Sequence, residues 1–160
     1  MLLVKVFNKD AINTDLKSKT KQDVFEELLE TIQNVQPDLN TKEALKALTE
    51  REDRMSTGIM PHVALPHALC LSVKGTIGAI GISRSGIAYD ALDGLPVHLI
   101  FMLLANPESC GQNLRVLKHL AGLLERPQFA ADLIGKKNAE EIQAMLELQN
   151  RIRAPAPTAG

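Results

Sequence analysis

Residues 51–68 read R-E-D-R-M-S-T-G-I-M-P-H-V-A-L-P-H-A, the densest polar chemistry in an otherwise plain chain. Arg51 is a fixed cation. Ser56 and Thr57 bring hydroxyl groups, and Gly58 allows close backbone approach. Val63-Ala64-Leu65 is short and apolar, which predicts a buried strand. Pro66 has no N–H for a sheet ladder and is expected to end that strand. His67 then falls where the backbone is expected to leave the core. There an imidazole can be exposed while its backbone is held rigidly, which suits a nucleophile.

Upstream, Leu2 to Phe7 alternates loosely and predicts a first strand, followed by a polar, turn-like Asp10 to Lys19. Thr20 with Asp23 makes an imperfect capping box, and Phe25, Leu28, Leu29 and Ile32 follow at helical spacing. Pro37 and Asn40 mark a loop. Thr41 is expected to cap a second helix, with Ala44, Leu45 and Leu48 inward and Lys42, Glu43, Lys46 and Glu50 on its wet face. That helix runs directly into Arg51, whose plainer role is a last-turn cation on the helix dipole.

Downstream, Val73 to Ile82 is rich in small residues and reads as a strand packed closely on both faces. A separate short strand is expected over Gly86 to Tyr89, and Asp93-Gly94 signals a turn. Val97 to Leu104, V-H-L-I-F-M-L-L, predicts a central buried strand. Asn106 to Ser109 carries capping chemistry. A helix is expected from about Gly111 to Arg126 with Leu114, Leu117, Leu120, Ala121 and Leu124 on one face. Pro127 stops it, a short helix Gln128 to Ile134 ends at Gly135, and Asn138 caps a last helix with Ile142, Met145 and Leu146 inward. Interleaved strands and helices imply one α/β or α+β domain, a central mixed sheet flanked by helices on both sides. The domain is expected over residues 1–150. A disordered tail is expected over 151–160, ending in A-P-A-P-T-A-G, which has little to bury.

The 160 residues are 45% hydrophobic, 23% charged and carry a net charge of −1, so nothing steers the chain toward nucleic acid or an anionic membrane. Aromatic residues are 3% with no Trp, too few for base-stacking platforms. Cys70 and Cys110 lie far apart, so neither a structural disulfide, a metal site nor a cofactor is expected. Lys5, Asn8, Lys9 and Asp10 interrupt any apolar start, no run approaches the length of a membrane span, and a cytoplasmic location is expected. Monomer and homodimer both remain open.

The stretch from Arg51 resembles the phosphorylation signature of the fructose/mannitol/nitrogen class of enzyme IIA of the sugar phosphotransferase system, roughly R-E-x-x-G-S-T-G-I-G-N-G-I-A-I-P-H-G. Arg51, Glu52, Ser56, Thr57, Gly58, Ile59, Ala64, Pro66 and His67 match it, and D-G-L-P-V-H-L-I-F-M-L-L at Asp93 to Leu104 looks like the family as well. The resemblance extends over about Leu2 to Leu148. It implies the central mixed sheet covered on both sides. It also implies that His67, through its distal ring nitrogen, accepts a phosphoryl group from the phosphocarrier HPr. Imidazole suits a relay, because one nitrogen keeps a lone pair near neutral pH and the phosphoramidate stays reactive. Catalysis of such a transfer is mainly positioning and electrostatics. Arg51 could clamp a phosphoryl oxygen, with Ser56 and Thr57 donating hydrogen bonds directly or shaping the loop around Gly58.

The chain departs from the pattern at Met60-Pro61-His62, where the family has Gly-Asn-Gly, and at Met55, where Gly is common. The class often carries a second site histidine after the central strand; alignment puts Asn113 there, able to hydrogen-bond but not to take a charge. His62, five residues before His67, could lie near the phosphate and compensate, or be a plain loop residue. His98 reads as a strand residue with a satisfied ring, and His119 as partly exposed. Three functions follow from the resemblance: a phosphotransferase component passing phosphate to an enzyme IIB, a nitrogen-type regulatory module that binds a target in one phosphorylation state, and an unphosphorylated scaffold. The regulatory module with intact phosphotransfer chemistry is preferred, because no fused transport domain fits in the chain and S-T-G-I is typical of the nitrogen and fructose branches.

Overall fold

In the computed structural model of the chain, residues 2–153 are described. Their helices and strands follow in the order α1 (Leu2–Val6), β1 (Ile12–Asn13), α2 (Lys21–Gln33), α3 (Thr41–Arg54), β2 (Val63–Ala64), β3 (His67–Leu69), β4 (Thr76–Ile87), β5 (Val97–Ala105), α4 (Cys110–Leu124), α5 (Pro127–Ile134) and α6 (Ala139–Arg153). Short 3-10 turns sit at Lys9–Ala11 and Pro107–Ser109. Among the described residues no helix is long and apolar enough to cross a membrane.

The sheet is mixed. β4 and β5 form its antiparallel centre, β1 adds parallel to β4, and β2 and β3 lie end to end, parallel to the other edge of β5. β5 is apolar along nearly its whole length because both its faces are covered. On one face α2 and α3 pack Phe25, Leu28, Ile32, Ala44 and Leu48 against Ala79, Ile100, Met102 and Leu104. On the other, Leu3, Phe7, Val116, Leu120, Leu133 and Ile142 cover Ile80, Leu99, Phe101 and Leu103. This is the single domain with a central mixed sheet between helical layers that the interleaved pattern predicts.

The structure departs from the predicted elements in several places. Leu2 to Phe7 is helical rather than a strand. Leu3, Val6 and Phe7 are buried with one another at helical, not alternating, spacing. The polar Asp10–Lys19 stretch contains a two-residue strand, β1. Asn40, not Thr41, caps α3, its side chain accepting from Glu43 N–H at 3.1 Å. Gly86–Ile87 is no separate strand; it continues β4 past a register irregularity between Ile82 and Ile87, where Gly86 takes a φ of 89°. The buried face of α4 is Asn113, Val116, Leu120, Leu123 and Leu124, while Leu114, expected inward, is 53% exposed. The caps at Thr20 and Asn138 are present, each side chain accepting from a backbone N–H three residues on. α6 takes in residues 151–153, expected in the tail, and residues 154–160, the rest of the expected tail, lie outside the described residues.

Candidate functional site

Pro66 interrupts the edge strand without changing its register. Val63 pairs with Leu99 and Ala64 with Ile100; beyond the break His67 pairs with Leu103 and Ala68 with Leu104, so no residue is gained or lost. Side-chain alternation therefore carries through. Val63, Leu65 and His67 share the face covered by α4, whereas Ala64 and Ala68 face α2 and α3. The missing N–H of Pro66 is harmless because its carbonyl accepts from Leu103 N–H at 2.9 Å, while Leu65 N–H turns to Thr57 O at 3.2 Å. His67 thus opens a new strand rather than marking an exit from the core, and it is half-buried.

The His67 ring is oriented by its own backbone: Nδ1 lies 2.7 Å from the carbonyl oxygen of Leu65. A carbonyl can only accept, so Nδ1 carries a proton, and in the neutral ring Nε2 is the nitrogen with the lone pair. Two shallow hollows meet at this ring. One, of about 260 Å³, is lined by Arg51, Ser56, Ile59, Leu117 and Lys118 together with His67. The other, of about 350 Å³, joins His67 to Arg51, Arg54, Leu69 and Asn113. A larger hollow of about 740 Å³ between α5 and α6 holds none of the expected site residues, so size alone does not mark the site.

The structure therefore brings His67, Arg51, Ser56, Thr57 and Asn113 together around these hollows. Arg51 lies in the last turn of α3 and donates from Nη1 to Met55 O at 3.2 Å, which leaves most of its fork uncommitted. The Ser56 hydroxyl accepts from Gly58 N–H at 3.2 Å and still has its own proton to donate. Gly58 is needed for space: a Cβ there would sit 2.8 Å from the Ala91 Cβ and 3.2 Å from the Tyr89 ring.

Thr57 is buried, and its hydroxyl is spent on the protein. It donates to Glu52 Oε2 at 2.8 Å, and the Tyr89 hydroxyl lies 2.8 Å away as donor to it. Thr57 N–H donates to Glu52 Oε1, also at 2.8 Å. Lys21, at the start of α2, closes the group with Nζ 3.2 Å from Glu52 and 4.6 Å above the Tyr89 ring. Burial, and then the Glu52 charge, push the Tyr89 hydroxyl well above its ordinary range, so it stays a donor. Thr57 thus shapes the loop rather than reaching a ligand. Glu52, Lys21 and Tyr89 carry no role in the sequence reading, although one signal was present. An acid in the last turn of a helix opposes the macrodipole and so implies a specific partner.

His62 is not beside His67. His98 and Leu99 N–H both donate to its carbonyl, at 2.9 and 3.1 Å, which puts it five residues away along β5, roughly 16 Å at strand rise. Its ring contacts Pro96 O at 3.1 Å and packs edge-on against His98, centroids 5.5 Å apart. Its φ of 65° lies in the left-handed region, and Val63 N–H donates back to Met60 O at 3.2 Å. Met60 to Val63 is thus a tight turn. Pro61 stands at its first corner, where no N–H is needed, and a positive-φ residue at its second, where Gly would be strain-free. His98 Nδ1 is satisfied by Ser83 O at 2.9 Å, and His119 is half-buried.

Asn113 faces inward from the first turns of α4 and is 8% exposed, and its Oδ1 is buried with no hydrogen-bond partner among the described residues. Met55, Ile59 and Leu69, which line the hollows, are each about half exposed, a rim of large apolar side chains open to solvent.

The family description "Phosphoenolpyruvate-dependent sugar phosphotransferase system, EIIA 2" matches residues 5–149. The chain is 34% identical over 152 residues to the PTS system fructose-specific EIIABC component of Bacillus subtilis, covering 94% of this chain but only 23% of that protein. It is 28% identical to the nitrogen regulatory protein of Pseudomonas aeruginosa over 82% of this chain and 86% of that one. The crystal structure of nitrogen regulatory protein IIA-Ntr from Neisseria meningitidis superposes with a TM-score of 0.84 at 32% identity, covering 91% of this chain and 99% of that one. The chain belongs to the EIIA 2 family of the phosphotransferase system.

Proposed function

We propose that this EIIA 2 protein accepts a phosphoryl group on Nε2 of His67 from the phosphohistidine of an HPr-type phosphocarrier, in the cytoplasm, and acts as a nitrogen-type regulatory IIA. The observation that carries the reading is the 2.7 Å contact from His67 Nδ1 to Leu65 O, which fixes the tautomer and frees Nε2. In the transfer the Nε2 lone pair attacks phosphorus and a new N–P bond forms. The N–P bond to the carrier breaks, and its electron pair returns to the carrier's ring. The His67 ring gains positive character, which the Leu65 carbonyl stabilises through the retained Nδ1–H. Arg51 and Ser56 stand at the same hollow to hold the phosphoryl oxygens. Asn113 can turn its amide to the same group.

The apolar rim of Met55, Ile59 and Leu69 is the surface on which a carrier protein would seat its own histidine. Phosphorylation adds about two negative charges, enough to change which target that surface binds. Similarity to nitrogen regulatory proteins over nearly their whole length supports the regulatory branch. The 34% identity to a fructose-specific EIIABC component supports a second reading, transfer onward to an enzyme IIB during sugar uptake.

Incubation with phosphoenolpyruvate, enzyme I and HPr, read by intact mass, tests this. One acid-labile phosphate on the wild type and none on His67→Ala is the expected result. No gain with active partners overturns the phosphoacceptor role, and rapid loss of the label to a fructose-type IIB moves the assignment to transport.

A further inference from the structure

A phosphoryl group on His67 brings about two negative charges into a hollow whose walls, Ile59, Leu65, Leu117 and Ala121 among them, are mainly apolar. Apolar walls keep water back and make each neighbouring charge count for more. Arg51 supplies one cation there. From α4, the buried Asn113 supplies none, and its Oδ1 has no partner among the described residues. The hollow contains a second cation that the phosphorylation signature does not: Lys118.

Lys118 sits between Leu117 and Ala121 on α4, and all three line the hollow that holds His67 and Arg51. Lys118 is exposed, and among the described residues it has no ion-pair partner. Leu117 is partly buried and flanks the lysine stem, which can lie along the apolar wall while the charged head stays at the mouth. Arg115, one turn earlier on the same helix and equally exposed, lines neither hollow. Position on the helix, rather than charge alone, therefore sets Lys118 apart.

We propose that Lys118 is a cationic ligand of the phosphoryl group on His67, adding from α4 a charge in the hollow that Arg51 lines from α3, while Arg54 lines only the other hollow at His67. The proposal rests on the phosphoacceptor reading above. It assigns Lys118 to the phosphorylated state, in which its N–H donors meet phosphoryl oxygens and so favour the group remaining on this chain.

The test measures how phosphoryl groups distribute at equilibrium between HPr and this chain, for wild type, Lys118→Gln, Lys118→Arg and Arg115→Gln, with thermal melting alongside. Loss of one charge-assisted hydrogen bond is expected to shift the equilibrium toward HPr by about tenfold in Lys118→Gln. Lys118→Arg is expected to restore most of the difference, Arg115→Gln to match wild type, and all four to melt together. A partner-free readout accompanies it: the side-chain NMR resonances of Lys118 should move on phosphorylation and not in unphosphorylated protein. Phosphorylated wild type with Lys118→Gln equal to it, or Arg115→Gln equally impaired, overturns the lysine assignment and leaves the His67 reading intact. Wild type that takes no phosphate overturns both.

Discussion

The two sides of the loop from Arg51 to Ala68 treat polar groups in opposite ways. On the α2 side, Glu52, Thr57, Tyr89 and Lys21 are mutually satisfied: both carboxylate oxygens, the Thr57 N–H, both hydroxyls and an ammonium all have partners. On the α4 side, among the described residues, His67 Nε2 and the buried Asn113 Oδ1 have no hydrogen bond and Arg51 commits one donor. A saturated network in a low-dielectric interior is stiff, since any displacement breaks several strong bonds at once. A cluster whose polar groups are not tied to one another lacks that stiffening. In the proposed relay, the first side sets the geometry that the second would offer to a phosphoryl group.

Substitutions should separate the two sides. The largest effect is expected from Glu52→Ala, which strands the Thr57 N–H, the Thr57 hydroxyl and the Lys21 charge. Denaturant unfolding should show a loss of about 3 kcal/mol, and transfer to His67 should slow as the loop loosens. A stable variant with full transfer would show that the network does not hold the site. Gly58→Ala comes next: a Cβ 2.8 Å from that of Ala91 must displace the loop, at a cost of about 1–3 kcal/mol. Asn113→Leu tests the other side, where removing an orphaned buried oxygen should leave stability unchanged or higher by up to about 1 kcal/mol while phosphoryl transfer falls. A clear loss of stability there would mean that Asn113 is structural and the contrast is wrong. The smallest effect is expected for His62→Gly. It relieves a positive φ but gives up the contact to Pro96 O, so stability should stay within about 1 kcal/mol and phosphorylation should be unaffected. A slowed transfer would bring His62 back to the site despite its distance.

Much of this was legible beforehand because it depends on residues near one another in the chain. The α2 stripe, the Thr20 and Asn138 caps, the β5 run and the edge strand before Pro66 are all set by side-chain period and cap chemistry over a few residues. The errors came where local pattern was ambiguous. Leu2 to Phe7, apolar but for Lys5, fits a helix or a strand equally well, and only packing against α6 and β4 selects helix for α1. Leu114 reads as core because leucine usually is, but α4 turns Asn113 inward and leaves Leu114 exposed. His62 looked close to His67 at five residues along the chain, but an edge strand stretches five residues to roughly their maximum length.

The sequence by itself determined the element types over most of the chain, the place of His67 directly after a proline-broken strand, and the family to which that motif belongs. Tertiary structure decided the rest: the unbroken register that turns His67 toward α4, the buried partners of Glu52, and the meeting of Arg51, Asn113 and Lys118 around one imidazole. The division follows from the range of the forces involved. Backbone propensity and capping act within a turn or two, whereas strand register and shared hollows join residues that approach one another only when the sheet and both helical layers are assembled.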